Sequence, residues 1–143
     1  MYLIGFPLLV LPFAVYSIIE FLMPGDRPGV TWGYGIKDVS LASGAQWTLT
    51  AGDLFIAISI LLLYAELMKA TRPSARAIVD HLLSTLLFVA MLLEFILFRQ
   101  AATSVFFILT VISFVDVVAG FSVTIRSAQR DINVDSANNI QRL

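Results

Sequence analysis

The stretch that decides the fold is Thr103-Ser104-Val105-Phe106-Phe107-Ile108-Leu109-Thr110-Val111-Ile112-Ser113-Phe114-Val115-Asp116-Val117-Val118-Ala119-Gly120-Phe121-Ser122-Val123-Thr124-Ile125. An α-helix rises ~1.5 Å per residue, so ~20 apolar residues match the hydrocarbon core of a bilayer. The stretch has that length, and a single charge, Asp116, sits near its middle. A carboxylate at that depth is expensive and needs a reason. Ser113, Asp116, Gly120 and Thr124 recur at three- and four-residue spacing, which puts them on one helical face. Small and polar residues let a neighbouring helix come close and offer it hydrogen bonds. Ser113, Gly120 and Thr124 are therefore the expected helix-packing face, turned into a bundle or a partner and away from lipid.

Composition widens the reading to the whole chain. Of 143 residues, 59% are hydrophobic and 13% charged, with a mean hydropathy of +0.90. Soluble domains are about 45–50% apolar and about 25% charged. Both departures point to a membrane protein, and the length suits one domain. Net charge is −1, so no global field attracts nucleic acid. The absence of cysteine removes disulfides and thiolate chemistry. One histidine, His81, rules out a His-rich metal or haem site within one chain.

Three more apolar runs flank the first. Together they predict spans at about 2–23, 51–70, 76–99 and 103–126. The fold class is thus an all-α integral membrane protein, four transmembrane helices in an up-down antiparallel bundle. Residues 1–126 form one domain and 127–143 a polar tail, either a short surface helix or disordered. The first run begins Met-Tyr-Leu-Ile without Lys or Arg and lacks a small-x-small cleavage site, so it reads as a retained span and not a signal peptide. Pro7 and Pro12 lie inside it and are expected to kink it. Pro24-Gly25-Asp26 ends it. Thr50 or Asp53 caps the second span. Glu66 and Lys69, three residues apart, pair in its last turns. Arg72-Pro73-Ser74 forms a tight connection to the third span.

Residues 24–50 form the long non-helical segment. Val39-Ser40-Leu41 and Gln46-Trp47-Thr48-Leu49 alternate around Ala42-Ser43-Gly44-Ala45, a pattern for a short β-hairpin with glycine in its turn. Trp32, Tyr34 and Trp47 are expected to anchor this loop at the headgroup level, where amphipathic rings prefer to lie.

Lys69, Arg72, Arg76, Arg126, Arg130 and Arg142 fall at one end of the spans, against Arg27, Lys37 and Arg99 at the other. The excess of basic residues inside then places both termini in the cytoplasm, the hairpin loop outside, and the chain in the bacterial inner membrane. Glu20 and Glu94 lie about one turn from the outer interface, with Arg99 as the nearby cation. Asp116 lies deeper, level with Tyr16, Ser59 and Tyr64 and beyond reach of Lys or Arg. A neutral acid that donates a hydrogen bond is the expectation. Asp116, Glu94, Glu20 and Tyr64 are the candidate intramembrane proton or ion residues. His81 and its neighbour Asp80 point about 100° apart on a helix, which argues against a catalytic dyad.

No phosphate-binding glycine loop, zinc-ligand spacing or nucleophile–base set appears, so no catalytic, cofactor or metal residue is assigned. Two functions survive. The first is a non-catalytic accessory, scaffold or assembly subunit of a larger membrane complex. Its partners are the lipid bilayer and either another membrane protein or a second copy of itself, with no nucleic acid. The second is a small oligomeric proton- or ion-coupled transporter or channel working through Asp116.

Overall fold

The computed structural model describes residues 6–22, 28–70 and 77–141, with backbone alone at 77, 78, 124, 127, 128 and from 130 on. The elements are α1 (Val10–Leu22), a 3-10 turn (Thr31–Gly33), β1 (Gly35–Ser40), β2 (Gln46–Thr50), α2 (Ala51–Ala70), α3 (Ala77–Leu97), a second 3-10 turn (Arg99–Ala101) and α4 (Ser104–Gln141). Three stretches are long and apolar enough to cross a bilayer: Ala51–Ala70, Val79–Leu97 and Ser104–Val123. These three helices are consistent with an integral membrane protein. The predicted terminator Pro24-Gly25-Asp26 and connection Arg72-Pro73-Ser74 lie outside the described residues.

The first helix differs from expectation. It has 13 residues, about 20 Å at the helical rise, short of a ~30 Å hydrocarbon core. The prolines explain its start. Pro7 disfavours helix at Phe6 before it. The chain then makes tight three-residue turns, Val10 N to Pro7 O at 3.1 Å and Leu11 N to Leu8 O at 3.1 Å, before Phe13 N bonds Leu9 O at 3.2 Å. Pro12 does not kink a long helix. It stands in the first turn, where a missing N–H forfeits little. The predicted start at Tyr2 lies outside the described residues.

The hairpin forms as predicted. β1 pairs antiparallel with β2, with Ser40 opposite Gln46 and Val39 opposite Trp47. Leu41 and Ala45 close the turn through Leu41 N to Ala45 O at 2.9 Å. Gly44 takes a φ of +84° there, a left-handed conformation that glycine adopts without steric cost. Two isolated strands are marginal in water. Cross-strand bonds from Ser40 Oγ to Gln46 (2.9 Å) and Thr48 Oγ1 to Asp38 (2.6 Å) add to the pairing. Ala51 N to Tyr34 O at 2.9 Å ties the residue before β1 to the start of α2.

Helix α2 is capped by both predicted residues together. Asp53 N donates to Thr50 Oγ1 at 3.1 Å, and Thr50 N donates to Asp53 Oδ2 at 3.0 Å. This reciprocal arrangement satisfies two backbone donors at the helix start. Thr103 caps α4 by accepting from Phe106 N at 3.1 Å. Helix α4 packs against both α2 and α3 and is the central helix. Its buried side chains Phe106, Leu109 and Ile112 join Tyr16, Met91 and Leu9 in the core. Leu61, Ile96 and Leu97 are each about two-thirds exposed. Lipid, not water, is the environment that makes such surface stable. Beyond its apolar part α4 runs unbroken to Gln141, 38 residues in all, so the tail is neither a separate surface helix nor disordered backbone in that range.

Candidate functional site

Two ends of the bundle are distinguished by what they carry. The hairpin end holds the strands, the close of α1 and the start of α4. The tail end holds the close of α2, the start of α3 and the part of α4 that continues outward.

A buried polar cluster occupies the tail half. Helix α4 contributes Ser113 and Asp116, 1% and 5% exposed. Helix α3 contributes Asp80, His81 and Ser84. Ser84 hydrogen-bonds the Asp116 carboxyl group. One turn further along α4, Gly120 faces the His81 ring so closely that a Cβ there would meet Nδ1 at 2.3 Å. Helix α2 contributes Glu66 and Lys69, whose Nζ and Oε1 are 2.8 Å apart, the pair predicted from their spacing. Lys69 Nζ also lies 3.8 Å from Asp80 Oδ2. The same two residues grip the chain as it enters α1. Leu8 N donates to Glu66 Oε2 at 3.0 Å, and Lys69 Nζ donates to the Phe6 carbonyl at 3.0 Å. Glu66 thus supplies an acceptor to a backbone donor near the helix start, where intrahelical partners are lacking.

This revises the expected surroundings of Asp116. Its hydrogen-bonding neighbour is Ser84, and Lys69, His81 and Glu66 are near enough to act on it electrostatically. Tyr16 instead sits at the hairpin end, and Ser59 bonds its own helix at Phe55 O, 2.8 Å away. Tyr64 is 62% exposed and joins no part of the cluster. The antiparallel turn between α3 and α4 accounts for the difference. Ser84 and Asp116 each stand sixteen residues from Gln100, so folding the chain there brings them level. His81 and Gly120 are nearly equidistant from it too. That symmetry was available in the sequence and was the signal for the Ser84 and His81 contacts. Asp80 turns toward α2 and His81 toward α4, in keeping with the predicted divergence of the two.

The other acids stand apart from Asp116. Glu20, 6% exposed, accepts from Gly29 N at 3.2 Å and tethers the loop after α1. Glu94 accepts from Ser17 Oγ at 3.1 Å and joins α3 to α1. Among the described residues Arg99 pairs with neither, and it is exposed. Tyr16, fully buried, hydrogen-bonds Thr103 Oγ1 at 2.5 Å and the Gln100 carbonyl at 3.3 Å. It stacks on Trp32 with ring centres 5.2 Å apart and packs on Phe106 at 4.6 Å. Trp32 is therefore not a headgroup anchor. It is 6% exposed and closes the hairpin end of the bundle, where its ring packs against Tyr16 and Phe55. Tyr34 and Trp47 are 71% and 46% exposed and stand free to meet an interface. The side chain of Thr124 lies outside the described residues.

An open-sided cavity of about 810 Å³ lies beneath the hairpin, between α2 and α4. Its walls are mainly apolar, with Trp47, Leu49, Ile56, Ile60 and Ile108 among them, and Thr50, Asp53 and Ser104 supply polar groups. Among the described residues, no group of three or more His, Asp or Glu side chains is placed to hold a metal ion.

Fold and site together define the class: a small helical protein with three membrane-compatible helices, a two-stranded hairpin and a buried titratable cluster. No family model, curated protein or solved structure matches the chain.

Proposed function

We propose that the chain is a four-span bundle in which α1 belongs to the fourth crossing, and that it serves as a non-catalytic accessory or assembly subunit of a larger membrane complex. The excess of Lys and Arg toward the tail end supports an arrangement with both termini cytoplasmic, in a bacterial inner membrane. One observation carries the accessory reading. Helix α4 does not stop where its apolar stretch ends at Ile125 but continues to Gln141. Those 16 further residues project about 24 Å at the helical rise. Their sequence includes Asp131, Asn133, Asp135, Asn138 and Asn139, all weak helix formers. The membrane part removes the nucleation cost, and a partner surface supplies the packing that a polar helix lacks.

The test is purification of the full chain from native membranes in mild detergent, beside a chain ending at Ser127. A partner retained by the first and lost by the second supports the reading. A solitary chain in both preparations, each correctly inserted, overturns it.

The unpartnered oxygen of buried Asp116 favours a second reading, a small oligomeric proton-coupled transporter. Proton flux in reconstituted vesicles, abolished by Asp116→Asn, distinguishes it from the first.

A further inference from the structure

Four buried polar atoms without hydrogen-bond partners lie along α3 and α4: Ser113 Oγ, Asp116 Oδ2, His81 Nε2 and Asp80 Oδ1. Ser113, Asp116 and Asp80 are each more than nine-tenths buried. Buried polar groups in folded proteins almost always find a partner. Four unmet atoms in one seam therefore point to small occupants that hydrogen-bond there, namely protons and water.

The seam has a direction. Ser113, Asp116 and Gly120 share one face of α4, spaced by three and four residues. Ser84 on α3 bonds Asp116, and one turn nearer the tail end the His81 ring covers Gly120. Asp80 and Lys69 follow at the mouth, 3.8 Å apart. In the opposite direction the seam stops. Leu109 and Ile112 are buried, Thr110 Oγ1 donates to its own helix at Phe106 O, and the stacked Tyr16 and Trp32 with Phe106 fill the hairpin end.

We propose that Asp116 and His81 form a one-sided proton-binding site, reached from the tail end past Asp80 and shut from the hairpin end by the aromatic cluster. The groups that face it are Glu66 and Lys69 from α2, and Asp80, His81 and Ser84 from α3. Among the described residues before α1, the Leu8 N–H and the Phe6 carbonyl reach the cluster, and both are engaged by Glu66 and Lys69. Lys69 is held by Glu66 and the Phe6 carbonyl, and the Asp116 carboxyl group carries the proton of the site. In exchange, the O–H bond of Asp116 breaks as its proton passes to a water in the seam, and a proton of that water forms an N–H bond at His81 Nε2. The imidazolium then releases a proton to water at the mouth, and electron pairs stay on the heavy atoms throughout. The site deepens the transport reading by naming the proton, yet it stands separately, since a site filled from one side need not pass its proton across.

The experiment uses the full chain in lipid vesicles, with infrared spectroscopy during transfer to heavy water. A carboxylic-acid band is expected at neutral pH, absent in Asp116→Asn. Its hydrogen–deuterium exchange should slow by about 10²-fold or more in His81→Gln, the scale of removing a positioned acid–base group. The chain has no cysteine, so Ser113→Cys gives an independent reading of access. A membrane-impermeant thiol reagent should modify it from the tail side and not from the hairpin side. A missing Asp116 band, exchange at the wild-type rate in His81→Gln, or modification of Ser113→Cys from the hairpin side or from neither side overturns the site. Absence of proton flux in the same vesicles, with these signatures present, overturns transport alone.

Discussion

His81 and Gly120 fit together with no space to spare. A methyl group on residue 120 would stand 2.3 Å from the imidazole Nδ1 and 2.6 Å from Cε1. The closest approach of α3 to α4 in the tail half thus depends on a missing side chain.

Gly120→Ala should destabilise the protein by about 1–3 kcal/mol, as overpacking does, despite the ~0.5–1 kcal/mol that alanine gains over glycine inside a helix. With the ring removed the sign should reverse: His81→Ala with Gly120→Ala should be more stable than His81→Ala alone. Reversible unfolding of the four proteins in detergent, read as a double-mutant cycle, checks both signs.

Tyr16→Phe keeps the stack on Trp32 and loses the bonds to Thr103 and Gln100. A loss of about 0.5–1.5 kcal/mol is expected, the net worth of an ordinary hydrogen bond. Tyr16→Ala also removes the ring that contacts Trp32, Phe55 and Phe106, and should cost about 3–5 kcal/mol. Equal losses in the two variants would show that the ring contributes little to closing the hairpin end.

Glu66→Ala leaves Lys69 without its closest anion and Leu8 N–H without its acceptor. Breaking a buried pair costs about 3–5 kcal/mol, and this one also holds the chain entering α1. Lys69→Ala should cost less, because Lys69 is 19% exposed against 5% for Glu66 and Glu66 keeps the Leu8 bond. Limited proteolysis near the N-terminus should follow the same order, with Glu66→Ala cut fastest.

The two tryptophans should differ in fluorescence. Trp32 is buried at 6% exposure and Trp47 is 46% exposed. In Trp47→Phe the remaining emission should resist a water-soluble quencher, whereas in Trp32→Phe it should be quenched readily in detergent and shielded by lipid headgroups in vesicles. Ready quenching in Trp47→Phe would contradict the burial of Trp32.

Much of this organisation was legible in the residues. Hydrophobic run lengths marked α2, α3 and the membrane part of α4, because the bilayer thickness sets one length for all of them. Alternation and Gly44 marked the hairpin, and the Thr50–Asp53 spacing marked the cap. The Glu66–Lys69 pair followed from a three-residue spacing on one helix. What failed were judgements between elements. The residue type of Trp32 suits an interface, and only the place of Tyr16 shows that its ring stacks inside the bundle. Depth along each span alone hides that Lys69 and His81 come near Asp116.

By itself, the sequence determined that three helices are long and apolar enough to cross a membrane, and that an acid and a glycine share one face of the last helix. Those properties are local: they depend on hydropathy, on period and on the rise of a helix. Tertiary structure alone decided what that face meets. The α3–α4 turn sets Ser84 beside Asp116 and His81 over Gly120, and the fold of the N-terminal chain places Leu8 on Glu66. Such contacts join residues tens of positions apart, and their register comes from packing three helices together at once, which no single stretch encodes.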